Sequence, residues 1–343
     1  MTASKIEWTD RSDWNPVRGC SRVSEGCRNC YAEVMAARFS KPGQWGYGFA
    51  EMQGGDHRWT GKVELQEDRL TLPLRWRKPA KIFASSTSDI FHESLPDEAI
   101  DKIFAAMALS ERHTFQILTK RADRMKSYIN RWFMRLAESN QIFPHPAGPT
   151  KINAIFDWAV MPSVLPNVHL GVSCERQHEA DERRGPLAAF AAAGWTAFVS
   201  YEPALGPIDW KGWEFLRWLI SGGESGPRAR LSHPDWHRAA RDFCAEHGVP
   251  YFFKQWGLFA PVTITDMEFV NPTPEHIGEN VVLPNGIFCG YPQGQRFQVM
   301  RRVGKKQAGR LLDGKEHNEF PASRSSRITD SEHQKPKAEM VHP

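Results

Sequence analysis

Six short, almost wholly apolar runs separated by stretches of helical periodicity constrain this chain more than any other feature. They are residues 81–86 (KIFASS), 114–119 (TFQILT), 168–173 (VHLGVS), 196–201 (TAFVSY), 217–223 (RWLISGG) and 251–256 (YFFKQW). A strand covered on both faces reads as a continuous apolar run rather than as alternation, and such strands belong to parallel sheets flanked by helices. Between the runs, residues 96–109 open on Pro-Asp-Glu and residues 234–247 stop before Gly248, which are helix start and stop signals. Strand and helix in alternation give an α/β fold with right-handed crossovers. Two weaker runs, residues 14–17 and 63–65, raise the strand count to about eight, the number a closed barrel needs. The expected fold is α/β, a partial or full TIM-like (β/α) barrel over residues 1–257.

Three segments fall outside that pattern. Residues 130–167 are longer than an ordinary connection and carry several prolines, which predicts an insertion. Residues 258–321 lose the alternation and close on the basic stretch RRVGKKQAGRLLDG, which predicts an irregular C-terminal appendage. Residues 322–343 hold almost no large apolar side chains and are expected to form a disordered tail.

Composition narrows the function classes. With 41% hydrophobic and 24% charged residues, the chain is globular rather than fibrous or wholly disordered. Lys and Arg total 44 against 40 Asp and Glu, a net charge of +4, so any basic site must be local. The start MTASKIEWTD has no apolar signal core, and the richest apolar stretch, residues 187–195, is half a bilayer span. No membrane partner is expected. Six cysteines in 343 residues are too sparse for a disulfide framework, and the expected compartment is the cytoplasm.

Nearly every run ends in polar residues: Ser88 and Asp89, Lys120 and Arg121, Ser173 to Glu175, Glu202 and Pro203, Gly223 to Ser225, Lys254 and Gln255. Ligands of parallel α/β sheets sit at the carboxyl ends of the strands, so these groups are expected to converge on one face. Lys120, Arg121 and Lys254 suit a carboxylate or phosphate, and Pro203 fixes the backbone that carries Glu202. Taken singly, each is equally well a polar loop or a structural ion pair.

The most informative stretch is WNPVRGCSRVSEGCRNCY, in which Cys20, Cys27 and Cys30 are spaced C-x6-C-x2-C. Three thiolates on one glycine-containing loop can hold three irons of a [4Fe-4S] cluster and leave the fourth iron open. Two other readings stay open. A zinc site needs a fourth ligand, for which His57 is the nearest histidine. Unligated buried cysteines suit Cys174, Cys244 and Cys289 better than three in one loop.

Several stretches carry a family resemblance: WNPVRGCSRVSEGCRNCYAE, SSTSDIFHESLPDEAIDKIF, HTFQILTKRADRM, LPNVHLGVSCE, SYEPALGPID, SGGESGPRAR, HPDWHRAARDFC, FFKQWG and VGKKQAGRLLDG. Together they resemble a phage- and prophage-associated family defined by the three-cysteine motif, which in turn is similar to divergent radical S-adenosylmethionine (radical SAM) enzymes. The usual motif of that superfamily is C-x3-C-x2-C, and this loop is three residues longer. The resemblance implies a [4Fe-4S] cluster on Cys20, Cys27 and Cys30, with S-adenosylmethionine chelated at the unique iron, an electron donor, and reductive cleavage to a 5'-deoxyadenosyl radical. It further implies that Gly222, Gly223, Glu224 and Ser225 hold the methionine amino group, with Tyr31 beside the cluster or the adenine. Glu175 is a further carboxylate for that site. Lys120, Glu202 and Lys254 are the catalytic candidates. Thirteen tryptophans suit base stacking but more commonly form core, and the basic stretches at 75–78 and 301–306 suit phosphate but more commonly a solvated face. The phage context of the resembling family implies a nucleic acid or nucleoside as substrate. The competing function is a non-catalytic, metal-stabilised nucleic-acid-binding protein.

Overall fold

The computed structural model describes residues 4, 6–262, 281–287 and 298–322. After helix α1 (Tyr31–Arg38) come six strands: β1 (Lys81–Ala84), β2 (Thr114–Thr119), β3 (Val168–Ser173), β4 (Thr196–Tyr201), β5 (Trp218–Gly222) and β6 (Tyr251–Gln255). They form one sheet in sequence order, and every neighbouring pair is parallel. Sequence order throughout is the winding of a (β/α) barrel, whereas a doubly wound sheet reverses at a switch point. Helices α2 (Asp97–Ala108), α3 (Ala122–Ile129), α4 (Gln177–Ala192) and α5 (Pro234–His247) occupy four of the crossovers. The α5 boundaries follow from local chemistry: Pro234 opens the helix, the His233 side chain accepts from the Asp235 amide at 3.0 Å, and Gly248 closes it at φ 63°.

A ring at the centre shows that the sheet curls. The Trp8 ring lies 4.6 Å from Phe83 on β1, 6.5 Å from Phe198 on β4 and 5.8 Å from Trp218 on β5. With strands about 4.8 Å apart, the first and fifth strands of a flat sheet would be about 19 Å apart. One indole reaches both only because the sheet wraps around it. Ile220 and Phe252 complete this inner cluster, while Ile82, Phe115, Ile117, Leu170, Val172, Val199, Leu219 and Phe253 face outward beneath the helices. On β1, β4, β5 and β6 both parities therefore carry apolar residues, which is why those runs show little alternation.

The barrel is partial, with six strands rather than eight. Val17–Arg18 pairs antiparallel with Glu64–Leu65 in a separate two-stranded sheet, so the two weak runs do not enter the barrel. Residues 10–14 come closest to a seventh strand. The Asp10 and Arg11 amides donate to the Lys81 carbonyl at 3.1 and 3.0 Å, and the Phe83 amide donates to the Arg11 carbonyl at 2.8 Å. At the far edge, residues 317–319 pair antiparallel with β6.

Within residues 130–167, the helix Trp132–Glu138 buries Trp132 against Phe104 and Trp195, and Ile142–Phe143 pairs with Thr150–Lys151. Beyond β6, Phe259–Pro261, Val281–Leu283, Gly286–Ile287 and Gln298–Arg302 make a four-stranded antiparallel sheet. Of the expected disordered tail at 322–343, all but residue 322 lies outside the described residues, as does Cys289. Among the described residues no helix is long and apolar enough to cross a membrane.

Candidate active site

Chain direction brings the cysteine loop to the carboxyl end of the sheet. Residues 10–14 run parallel to β1, so the loop that follows emerges where β1 ends; the Ser85 amide donates to the Trp14 carbonyl at 3.0 Å there. The 3-10 turn Glu25–Cys27 and the start of α1 then place Cys27 and Cys30 one turn apart, with the Cys30 amide donating to the Cys27 carbonyl at 3.2 Å. Cys20, Cys27 and Cys30 line one cavity of about 130 Å³ together with Asp89, Lys120 and Arg121. His57 lies on the nearby strand Asp56–Trp59 and does not line that cavity.

The loop is fastened to the barrel by charge-assisted contacts. Arg121 donates to the Ser21 carbonyl at 3.1 Å, pairs with Asp89 at 3.0 Å, and its Nη1 lies 3.9 Å from Cys20 Sγ. Ser24 donates to Glu175 Oε1 at 3.0 Å. Gly26 packs so closely that a Cβ there would sit 2.3 Å from the same carboxylate oxygen, so a side chain at residue 26 would force the loop off the strand end. Burial pushes the Cys20 thiol up to about 12, with Asp89 adding to the shift and Arg121 opposing it; burial likewise raises Cys30. Burial thus favours the protonated thiol at Cys20 and Cys30, and a cluster held there would displace those protons, since its irons stabilise thiolates. Among the described residues no group of three or more His, Cys, Asp or Glu side chains is drawn together tightly enough to hold a metal ion. Cys20, Cys27 and Cys30 are the three thiol-bearing residues in the wall of the small cavity, a donor type suited to iron and sulfur.

A larger cavity of about 350 Å³ adjoins the first and shares Cys30, Phe83, Ser86, Leu118, Lys120 and Ser173 with it. Its walls also carry Tyr31, Glu202, Gly223, Glu224, Ser225 and Lys254. Glu202 and Lys254 form an ion pair at 2.8 Å with each side chain 16% exposed. The Glu224 carboxylate is held by Arg230 at 2.6 Å and by Asn29 at 3.0 Å. Glu175 is fully buried beneath the cavity, where it pairs with Lys120 and, at 3.0 Å, with Arg183. Burial pushes its carboxyl up, but Lys120 and Arg183 outweigh that and hold it below its ordinary range. Lys120 stays charged for the reciprocal reason: burial works against its charge and Glu175 overrides it. Gly222 lies behind the wall, where a Cβ would be 3.4 Å from Glu202 Oε1.

Sequence reading missed Asn29, Ser200 and Arg230. Asn29 and Arg230 fix Glu224, and Ser200 lies on the inward row of β4; Lys305, from the basic stretch at 301–306, reaches the cavity from the appendage and pairs with Glu7 at 3.1 Å. For Ser200 the signal was present, because it stands two residues before Glu202 in a strand and so shares its face. No local pattern marks the others, which arrive from distant segments.

Among curated proteins, none matches the sequence. Solved structures with some likeness include a cysteine-to-serine mutant of spore photoproduct lyase, 13% identical over 88% of this chain and 71% of that chain at a TM-score of 0.37. Another is a mutant of the same lyase with bound AdoMet and dinucleoside spore photoproduct, 11% identical over 84% of this chain and 67% of that chain, also at 0.37. A third, spore photoproduct lyase complexed with dinucleoside spore photoproduct, is 10% identical over 70% and 75% at 0.39. Likeness at this level settles neither the activity nor the ligands of this chain. Residues 3–321 match a family model described as "Protein of unknown function (DUF5131)", and with nearly the whole described chain inside that match, the protein belongs to the DUF5131 family.

Proposed function

We propose that this chain is a radical SAM-type enzyme that holds a [4Fe-4S] cluster on Cys20, Cys27 and Cys30 and binds S-adenosylmethionine and its substrate in the adjoining cavity. The observation that carries the reading is the shared wall: a cavity lined by three cysteines opens against a cavity of about 350 Å³ at the carboxyl ends of the strands. A cluster with one open iron, reduced by an external donor, supplies the electron for reductive cleavage of a sulfonium bound beside it. Within the large cavity, the Glu202–Lys254 pair offers an acceptor and a donor at one point, suited to hydroxyl and amino groups of a nucleoside-like ligand. Lys120 brings a fixed positive charge to the shared wall, where it can neutralise a ligand carboxylate. Glu224 orders the rim through Arg230 and Asn29. Trp8 and Phe83 close the floor and exclude water from below.

Anaerobic reconstitution tests this. The expected result is about four irons per chain, an electron paramagnetic resonance signal after reduction, and release of 5'-deoxyadenosine from S-adenosylmethionine, with Cys27→Ala losing the iron. Stoichiometric zinc without iron after anaerobic purification sinks the reading.

A further inference from the structure

A separate chamber of about 380 Å³ lies beside the cysteine loop and is lined by Arg22, Arg28, Arg58, Arg228 and Arg230, with Asp56 the only carboxylate in its wall. The five arginines come from three parts of the chain: the cysteine loop, the strand Asp56–Trp59, and the segment after β5. Five like charges gathered this closely repel one another, so the fold must hold them. Asp56 takes Arg228 at 2.7 Å, Arg58 at 3.0 Å and Arg22 at 3.8 Å. Glu33 grips Arg22, and Glu25 and Glu224 hold Arg230 at 3.4 and 2.6 Å. Glu33 and Glu224 are almost completely buried.

These contacts use only part of the donors. A guanidinium carries five N–H groups in a rigid fork. Arg58 Nη1 is buried and has no partner, an arrangement that leaves a donor unsatisfied unless a ligand oxygen reaches it. Arg28 pairs with Glu25 at 3.6 Å, and its side chain is 66% exposed. An arginine-lined chamber with spare forks, in the size range of ligand pockets at roughly 300–1,000 Å³, matches phosphate oxygens in charge and geometry.

The position of the chamber indicates what carries the phosphate. Asn29 stands in the wall of both this chamber and the 350 Å³ cavity, and its amide joins them by donating to Glu224 at 3.0 Å and to the Arg228 carbonyl at 2.8 Å. Tyr31, two residues further on, lines the larger cavity, is 53% exposed as a residue and donates its hydroxyl to the Ser86 carbonyl, which leaves the ring as an aromatic face on which a base can stack. We propose that the arginine chamber binds the phosphate backbone of a single-stranded nucleic acid while a neighbouring base passes Tyr31 into the larger cavity. A single strand is favoured over a duplex because its base enters a pocket without the unstacking and unpairing cost that flipping from a duplex carries. The proposal rests on the preceding functional reading only in giving the larger cavity to the reacting base.

Fluorescence anisotropy with a labelled single-stranded oligonucleotide tests it, using the protein as purified with its iron content recorded. Arg58→Gln combined with Arg228→Gln is the informative variant, since neither residue touches a cysteine. The variant should bind about tenfold or more weakly, as expected for lost charge-assisted contacts. Its log-affinity against log-salt slope should fall by about 1.4, which is two phosphates at about 0.7 each. Should the double variant fail to fold by circular dichroism, Arg228→Gln alone, more than half exposed, is expected to lose about half of that slope change. Equal affinity and slope in variant and parent overturn the proposal. So does inorganic phosphate or a mononucleotide binding as tightly as the strand, or a sulfated polysaccharide showing the same dependence on the two arginines. A chain without iron whose strand binding still depends on Arg58 and Arg228 defeats the radical SAM reading alone. A chain that forms 5'-deoxyadenosine but binds the strand regardless of these arginines defeats this proposal alone.

Discussion

Along β4 the inward row reads Phe198, Ser200, Glu202; along β2 it reads Gln116, Leu118, Lys120; along β6 it reads Phe252, then Lys254. The lower half of the barrel's inner face is thus packed with rings around Trp8, and the upper half, one or two residue pairs along the same strands, carries serines and paired charges. Two neighbouring regions built on one period-2 row have opposite chemistry because their surroundings differ. The lower positions are sealed by Trp8 from inside and by Phe320, whose ring lies 5.4 Å from both Trp218 and Phe252, at the open seam. The upper ones face the cavities and the cysteine loop. The floor should therefore supply stability and the rim should supply binding, and substitutions in the two regions should separate those quantities.

The largest expected effect is on the floor. Trp218 is fully buried and touches Trp8, Phe198 and Phe252. Trp218→Ala should cost about 3–5 kcal/mol, as large-to-small changes of buried aromatics do, read as a lowered urea midpoint. A midpoint close to the parent's would mean that the floor is not the structural half.

Gly171 gives a subtler test of the same floor. A Cβ there would lie 2.3 Å from Phe198 Cζ, so the ring occupies space that only glycine leaves open. Gly171→Ala should destabilise by about 1–3 kcal/mol through overpacking, and adding Phe198→Leu should recover part of that loss. Additive losses in the double variant would show that the two positions do not compete for one space.

Beneath the outward row of β5 lies a histidine kept neutral, and pH should reveal this. Ser221, one residue off the inward row, bonds to His237 Nδ1 at 3.0 Å, while Ser232 bonds to Nε2 at 2.7 Å. Burial holds the His237 imidazole down at about 3, with His233 and Arg238 reinforcing it. In the unfolded chain a histidine titrates near 6.5. The folded state therefore binds this proton later than the unfolded one, so the stability is complete above about pH 6.5 and drains as pH falls towards 3, at no more than about 1.4 kcal/mol per pH unit. Denaturation at pH 7, 6 and 5 should show that decline, and His237→Gln should flatten it.

How much of this was legible follows from the physics of each part. The strands were readable because burial on both faces makes them apolar runs, and β2, β3 and β4 begin and end where the runs do. The barrel count was overread, since Val17–Arg18 and Glu64–Leu65 look like strand ends but pair as strands with each other rather than with the six-stranded sheet. The cysteine triplet declared itself by spacing alone. The pairings that define the rim did not, because Glu224 with Arg230 and Glu175 with Arg183 join charges that one sequence presents simply as polar residues near strand ends. The arginine chamber was the least readable, as its members become neighbours only after the loop at 20–30 folds back on the segment after β5.

The smallest stability effect should come from the rim, at Lys254. It stands on the same inward row as Phe252, yet its ammonium meets Glu202 in a cavity wall where both side chains keep some contact with solvent. Water can replace part of what the pair provides, and Gln255 remains 3.4 Å from Glu202 to steady the carboxylate. Lys254→Gln should therefore cost about 1 kcal/mol or less in urea denaturation. The same change removes a donor from the cavity, so affinity for S-adenosylmethionine in the reconstituted protein, followed by equilibrium dialysis, should fall by about tenfold or more while iron content holds. A loss of stability as large as that of Trp218→Ala would place Lys254 with the floor and dissolve the division between the two halves. Unchanged affinity would instead leave the rim standing but take Lys254 out of the ligand's reach.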